Sequence, residues 1–313
     1  MKRFVLKLFI PLFLMFILVL ILLRLLAPQY THTYNASFID KMKRLESIKE
    51  PKIVLVGNSN LVFGMQSDLL EKEIGMPVVN LGLHGGLGNA FHERMALFNL
   101  NRGDVIVICH LSYSDDDCIQ DPELALLTVE NYFHYWKIFR LKDFSYVQSA
   151  LPKYIYKCAR RRINQSDVEP EKTCYSRSAF NEYGDNVYPR IVAGEENAPY
   201  LWHPAVNSIC MNRINKFYKY CKKKGATVVI AGYPIISGLP DFSIDEYQNF
   251  QEDLKKSAAC PVISDFMDYV FDKKYFYAGA LHMTNEGARL RTEQLIKDLK
   301  AFLKTKKTAF SAS

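Results

Sequence analysis

Ser59 lies in the run Gly57-Asn58-Ser59-Asn60, directly behind an apolar stretch, and His282 opens the run His282-Met283-Thr284-Asn285-Glu286-Gly287, just ahead of a long helical pattern. A serine on a strand-to-helix turn is held where backbone donors favour the oxyanion that forms on attack at an acyl carbon. A histidine that reaches it takes the serine proton as general base and returns it to the leaving group as general acid. Taken singly, the same residues also read as a turn or cap serine and a loop histidine. Their placement at opposite ends of the folded region requires a scaffold that brings both to one edge.

The alternation of elements supplies that scaffold. Residues 52–56 (KIVLV) form a short β-branched run closed by Gly57, the pattern of a buried parallel strand feeding a loop. Residues 66–74 follow with Leu69, Leu70 and Ile74 at helical spacing, Ser67 as a cap and Gly75 as a stop. The unit recurs as a strand over 77–81 (PVVNL), a glycine-rich loop over 82–88, a helix over 89–100 and a third strand over 104–109 (DVIVIC). Later come a helix over 205–224, a strand over 226–231 (ATVVIA), a helix over 244–259, a strand over 261–263 and a final helix over 284–304. Such alternation predicts an α/β fold, a parallel sheet with helices on both faces. Residues 112–204 break it and read as an insertion, partly helical over 122–150, at the edge where open α/β sheets bind ligands.

The amino terminus has a different chemistry. Residues 8–26 read LFIPLFLMFILVLILLRLL, about the ~20 residues that cross a ~30 Å hydrocarbon layer. Lys2, Arg3 and Lys7 precede them, so the positive-inside rule leaves residues 1–7 in the cytoplasm and the rest outside. A cleaved signal peptide is the alternative, but the apolar run exceeds the usual ~7–15 residues and no small-x-small site follows. Residues 27–51 are polar and mixed in charge, predicting a stalk that ends in a short helix over 38–48; the domain proper is expected over 52–304, with a basic tail over 305–313.

Composition narrows the classes further. The 313 residues are 49% hydrophobic and 23% charged, which suits a folded chain rather than a disordered or polytopic one. The formal charge of +7 is scattered in clusters without the aromatic interleaving of an RNA module, so no nucleic-acid partner is expected. Seven cysteines, an odd number with no CxxC, predict at least one thiol that is free or paired between chains, and no structural zinc. The glycine-rich loop is not GxGxxG and no Walker lysine occurs. His84, His92 and His110 lack HExxH-type spacing, and Asp115, Asp116 and Asp117 read as a solvated loop with at most weak calcium affinity. No cofactor or metal is called for.

Three blocks, IVLVGNSN, VVNLGLHGG and ALHMTNEGARL, in this order and at these places in the alternation, resemble those of the SGNH hydrolase superfamily, also called GDSL-like esterases. The resemblance covers 52–109 and 226–303 and implies a flavodoxin-like three-layer sheet. It implies that Ser59 is the nucleophile and lends its amide to the oxyanion hole, that Gly85, with Gly86 as neighbour, lends another, and that His282 is the base. Two positions depart from the pattern. The aspartate usual three residues before the histidine is Gly279, leaving Asp265, Asp268 or Asp272, a backbone carbonyl, or a bare Ser-His pair. The asparagine usual after the third strand is absent from CHLSYSDDD, leaving His110, Ser112 or Tyr113 there, or Asn89 in the neighbouring loop.

Anchored proteins of similar layout, resembling the lipoteichoic acid D-alanylation and alginate O-acetylation proteins, work beside a membrane-bound O-acyltransferase. The resemblance therefore implies an extracytoplasmic acyl esterase or O-acyltransferase acting on a cell-envelope carbohydrate polymer. A non-catalytic protein that kept the fold, lost the acid and binds or helps assemble a surface polysaccharide is the other reading.

Overall fold

Runs of β-branched residues that alternate sides while staying dry on both require helices above and below, and the sheet is built that way. The computed structural model describes residues 2–115, 117–164, 173–191, 204–238, 243–279 and 281–311. An apolar helix α1 (Lys2–Leu26) leads to α2 (Ser37–Ser47), β1 (Ile53–Gly57), the one-turn α3 (Ser59–Val62), α4 (Ser67–Ile74) and β2 (Val78–Asn80). Then come α5 (Asn89–Met95), β3 (Val105–Cys109), α6 (Pro122–Val129), α7 (Phe144–Ile163), α8 (Ser208–Lys223) and β4 (Thr227–Ile230). The chain closes with β5 (Ile235–Ile236), α9 (Ile244–Ser257), β6 (Val270–Phe271), β7 (Phe276–Ala278), β8 (His282–Met283) and α10 (Asn285–Ser311).

The first four strands form one parallel sheet in the order β2-β1-β3-β4, with Leu55 opposite both Asn80 and Val107. Val54, Val56, Ile106, Ile108, Val228 and Ile230 enter one core with α2, α5, α8 and α9. Ile53, Leu55, Val105, Val107 and Val229 enter the other with α4 and α10. The strand expected over 261–263 shrinks to a single parallel bridge between Val262 and Ile230, because Pro261 has no N–H to give a ladder.

The expected stalk over 27–51 is instead part of the domain. Phe38, Ile39, Met42 and Leu45 recur on one helical face and are all but fully buried, with the Phe38 ring 6.2 Å from Phe91. The expected boundary at residue 52 therefore moves back to α2. The insertion over 112–204 holds α6 and α7, the latter running beyond the expected residue 150, and α10 continues through most of the expected tail. Six of the seven cysteines, all but Cys118, are buried, and these six form no disulfide; burial pushes the Cys109 thiol up to about 11, which leaves it inert.

Candidate functional site

The turn after β1 is fixed before any side chain of the site is placed. Gly57 is packed so tightly under β3 that a Cβ would lie 2.7 Å from the Cys109 carbonyl oxygen, so only glycine lets β1 turn there. Asn58 caps α3: its Oδ1 accepts from the Asn60 amide at 3.0 Å and from Asn60 Nδ2 at 2.8 Å. Asn60 Nδ2 also donates to the Cys109 carbonyl, while the buried Arg291 of α10 donates to the Asn60 carbonyl at 2.6 Å and to its Oδ1 at 2.8 Å. The turn is thus braced from the sheet and from the last helix, and Ser59 is left half-buried at its tip.

His282 reaches Ser59 from the opposite end of the chain. Its Nε2 lies 2.9 Å from Ser59 Oγ, the separation a general base needs. The ring sits on β8, paired antiparallel to β7, and rests against Phe63 with centroids 4.4 Å apart. Arg190, from the insertion, clasps this junction. Its Nε donates to the Met283 carbonyl at 3.0 Å, its amide donates to Asn285 Oδ1 at 2.6 Å, and the Asn285 amide donates back to its carbonyl at 3.1 Å.

A second polar net lies behind the Ser59 turn. Asp185 accepts from Asn80 Nδ2, from the Ser67 hydroxyl and from the Ser67 amide, while Asn80 Nδ2 also donates to the Leu61 carbonyl. Lys41 of α2 donates to the Asn80 and Gly184 carbonyls, and burial pushes its ammonium down to about 7. Such groups hold their geometry because leaving any one unpaired in a dry interior is costly.

The expected orienting acids are elsewhere. Asp265 caps the turn Phe266–Tyr269 by accepting from the Met267 amide, Asp272 caps Lys273–Tyr275 through the Lys274 amide, and Asp268 accepts from Gln294. All three are exposed, engaged in local caps or a surface contact, and none bonds His282. Among the described residues, the bond to Ser59 is the only side-chain hydrogen bond of His282, and no described carboxylate or carbonyl holds Nδ1. Gly279 has φ 62°, with open space where a side chain would project.

The oxyanion candidates separate in the same way. Gly85 opens a short 3-10 turn (Gly85–Leu87) beside Asn58, a Cβ on it falling 3.7 Å from Asn58 Nδ2. Gly86 donates its amide to His84 Nδ1, and Asn89 Nδ2 donates to the Ser112 carbonyl at 2.9 Å, so both are engaged away from Ser59. His110 is turned to Glu93, its Nε2 3.0 Å from Oε1, because a fully buried imidazole needs a partner. Ser112 bonds Ser114, and Tyr113 is wholly buried in the core. Among the described residues, the Ser59 amide, the Gly85 amide and Asn58 Nδ2 have no protein acceptor.

Asn58, whose side chain caps α3 and whose Nδ2 lies near Gly85, is a candidate donor that the sequence reading did not name; its position immediately before Ser59 was the available signal. Because its Oδ1 accepts from Asn60, its Nδ2 is the end turned toward Gly85. Asn58→Asp keeps the cap and deletes the donor, and is expected to lower kcat by ~10²–10³ with an unchanged denaturation midpoint. An unchanged kcat would remove Asn58 from the hole.

The other expected groups take structural parts. Asp115 pairs with Arg213 at 3.1 Å, Asp117 pairs with Arg140 and Lys142, and Asp116 lies outside the described residues. His92 is fully buried, which pushes it down to about 3 and keeps it neutral.

Electrostatics at His282 run opposite to those of a complete triad. Burial, with Arg190 and His84 adding positive charge, pushes its imidazole down to about 4. Since the base must be unprotonated, kcat/KM should rise as pH increases through about 4 and stay level through neutrality. A limb near the ordinary histidine value of ~6.5 would mean that these charges do not govern the ring.

No protein-family model, no curated protein and no solved structure matches the chain.

Proposed function

We propose that the chain is a membrane-anchored SGNH-type serine acyl esterase or O-acyltransferase that works on cell-envelope carbohydrate. The observation that carries the reading is the 2.9 Å approach of His282 Nε2 to Ser59 Oγ at the carboxyl edge of a parallel sheet, with the Ser59 and Gly85 amides and Asn58 Nδ2 having no acceptor among the described residues. Ser59 Oγ attacks the acyl carbon as His282 Nε2 takes its proton. Collapse of the tetrahedral intermediate breaks the ester bond, and the departing alkoxide takes that proton from His282. Water or a polymer hydroxyl then releases the acyl group by the reverse sequence.

In this reading α1 spans the membrane, supported by an apolar stretch over Phe9–Leu26 that is long enough to cross, with the first residues cytoplasmic and the domain outside. The carbohydrate polymer is the substrate, and a membrane-bound O-acyltransferase is the proposed neighbour that supplies or receives the acyl group. A second reading, a weakened or inactive relative that binds the polymer, is favoured by the lack of any partner for His282 Nδ1 among the described residues. Incubation of the full chain in detergent with a serine-reactive fluorophosphonate decides between them. Adduct on Ser59 supports the enzyme, and an unlabelled, folded protein supports the binder.

A further inference from the structure

The last turns of α1 are not free to face lipid. Leu23 is buried against the domain and Val19 and Leu26 are partly covered, whereas Phe9, Leu12, Phe16 and Ile21 are open. At ~1.5 Å per residue, a ~30 Å hydrocarbon layer entered just after Lys7 ends at about residue 27. Val19 and Leu23 then lie within roughly 12 Å of its outer boundary, and tilt of the helix only deepens them. Whatever part of the domain covers them therefore reaches the outer headgroups and the upper acyl region beneath them.

That part is α7, which packs on α1. Its carboxy-terminal half is tied to the chain just beyond the span: Arg161 Nε donates to the Gln29 carbonyl at 3.1 Å and its guanidinium stacks 4.7 Å over the Tyr30 ring. Tyr154 donates to the Glu130 carboxylate, which in turn accepts the Gln29 and Tyr30 amides. On the outer face of this half, Tyr156 is 64% and Ile163 79% exposed, flanked by the exposed Arg160 and Arg162. An amphipathic tyrosine, a bare isoleucine and paired guanidinium groups match a headgroup layer better than water.

We propose that the carboxy-terminal half of α7 lies on the outer leaflet, Tyr156 and Ile163 entering the headgroup–acyl boundary and Arg160 and Arg162 contacting anionic phospholipid phosphates. This rests on the reading of α1 as a span. The insertion is then a membrane rest that holds the domain against the surface from which a membrane-embedded partner works.

The test places the full chain in nanodiscs of phosphatidylcholine and phosphatidylglycerol whose acyl chains carry a diazirine near the carbonyl, with adducts mapped by mass spectrometry after illumination. Adducts are expected on α1 and on residues 154–163, and few on Tyr220 of α8, which is 48% exposed. Arg160→Gln and Arg162→Gln should each lower the α7 adduct about fivefold, the factor expected for one cation beside an anionic surface. Tyr156→Ser with Ile163→Ser, both on the exposed face, should lower it further without unfolding. Adducts on α1 alone, or equal labelling of Tyr220, would overturn the proposal. Absence of adduct from α1 itself would overturn the span reading, and the proposal with it.

Discussion

Ser59→Ala is expected to abolish fluorophosphonate labelling and to lower acyl-ester turnover by at least about 10²-fold while leaving the fold intact. The size follows from how the parts of such a site combine. Removing the nucleophile of a complete triad costs ~10⁶, and removing its acid alone costs ~10⁴, because the members act as a unit. A site that already lacks the acid has only the remaining ~10² to lose. Ser59 is half-buried at a turn held by Asn58, Asn60 and Arg291, none of which bonds its hydroxyl, so the alanine variant should keep its denaturation midpoint. His282→Gln should cost as much as Ser59→Ala, and the double variant no more than either. Turnover that survives either change would place the nucleophile elsewhere.

The largest gain is expected from Gly279→Asp. An aspartate on Nδ1 fixes the tautomer and stabilises the imidazolium that forms during attack, a contribution of up to ~10⁴ in rate. His282 has no such partner among the described residues, and Arg190 and His84 oppose the charge it must acquire. The left-handed backbone at Gly279 is one that aspartate tolerates better than most residues, and the space beside it is open. The variant should raise the acylation rate and move the acid limb of the pH profile upward from about 4. Asp265→Asn, Asp268→Asn and Asp272→Asn should each change the rate by less than about twofold, since each carboxylate serves a turn or the surface. A large, selective loss in the Asp272 variant would show that this loop rearranges to supply the acid.

The strand and turn that carry Ser59, and the helix that follows His282, were legible because their signals are local; the short β7–β8 pair that holds His282 was not. KIVLV and DVIVIC, short β-branched runs bounded by turn residues, have the pattern of dry strands, and a glycine that closes such a run marks the turn that lifts a side chain above the sheet. The braces were not legible, because each joins residues far apart in sequence. Arg291 reads as one more charge on a long helix, yet it is buried against Asn60 from 231 positions away. Arg190 and Asp185 come from an irregular stretch with no periodicity, and only the fold shows that Arg190 clasps β8 while Asp185 ties the start of α4 to the end of β2. Residues 27–51 misled for another reason: the charges of α2 conceal Phe38, Met42 and Leu45 at helical spacing, and its Lys41 points inward to two carbonyls. Polar composition marks exposure only when the polar groups have no buried partner to reach.

The central claim is that Ser59 carries the acyl group with His282 as its only catalytic partner. Intact and peptide mass spectrometry of the full chain, quenched in acid within seconds of mixing with an activated acetyl ester, tests it most directly. The account predicts one acetyl group, on the peptide containing Ser59, absent from Ser59→Ala and His282→Gln. An acetyl group on any other residue, or an unmodified Ser59 while ester is being consumed, would contradict it.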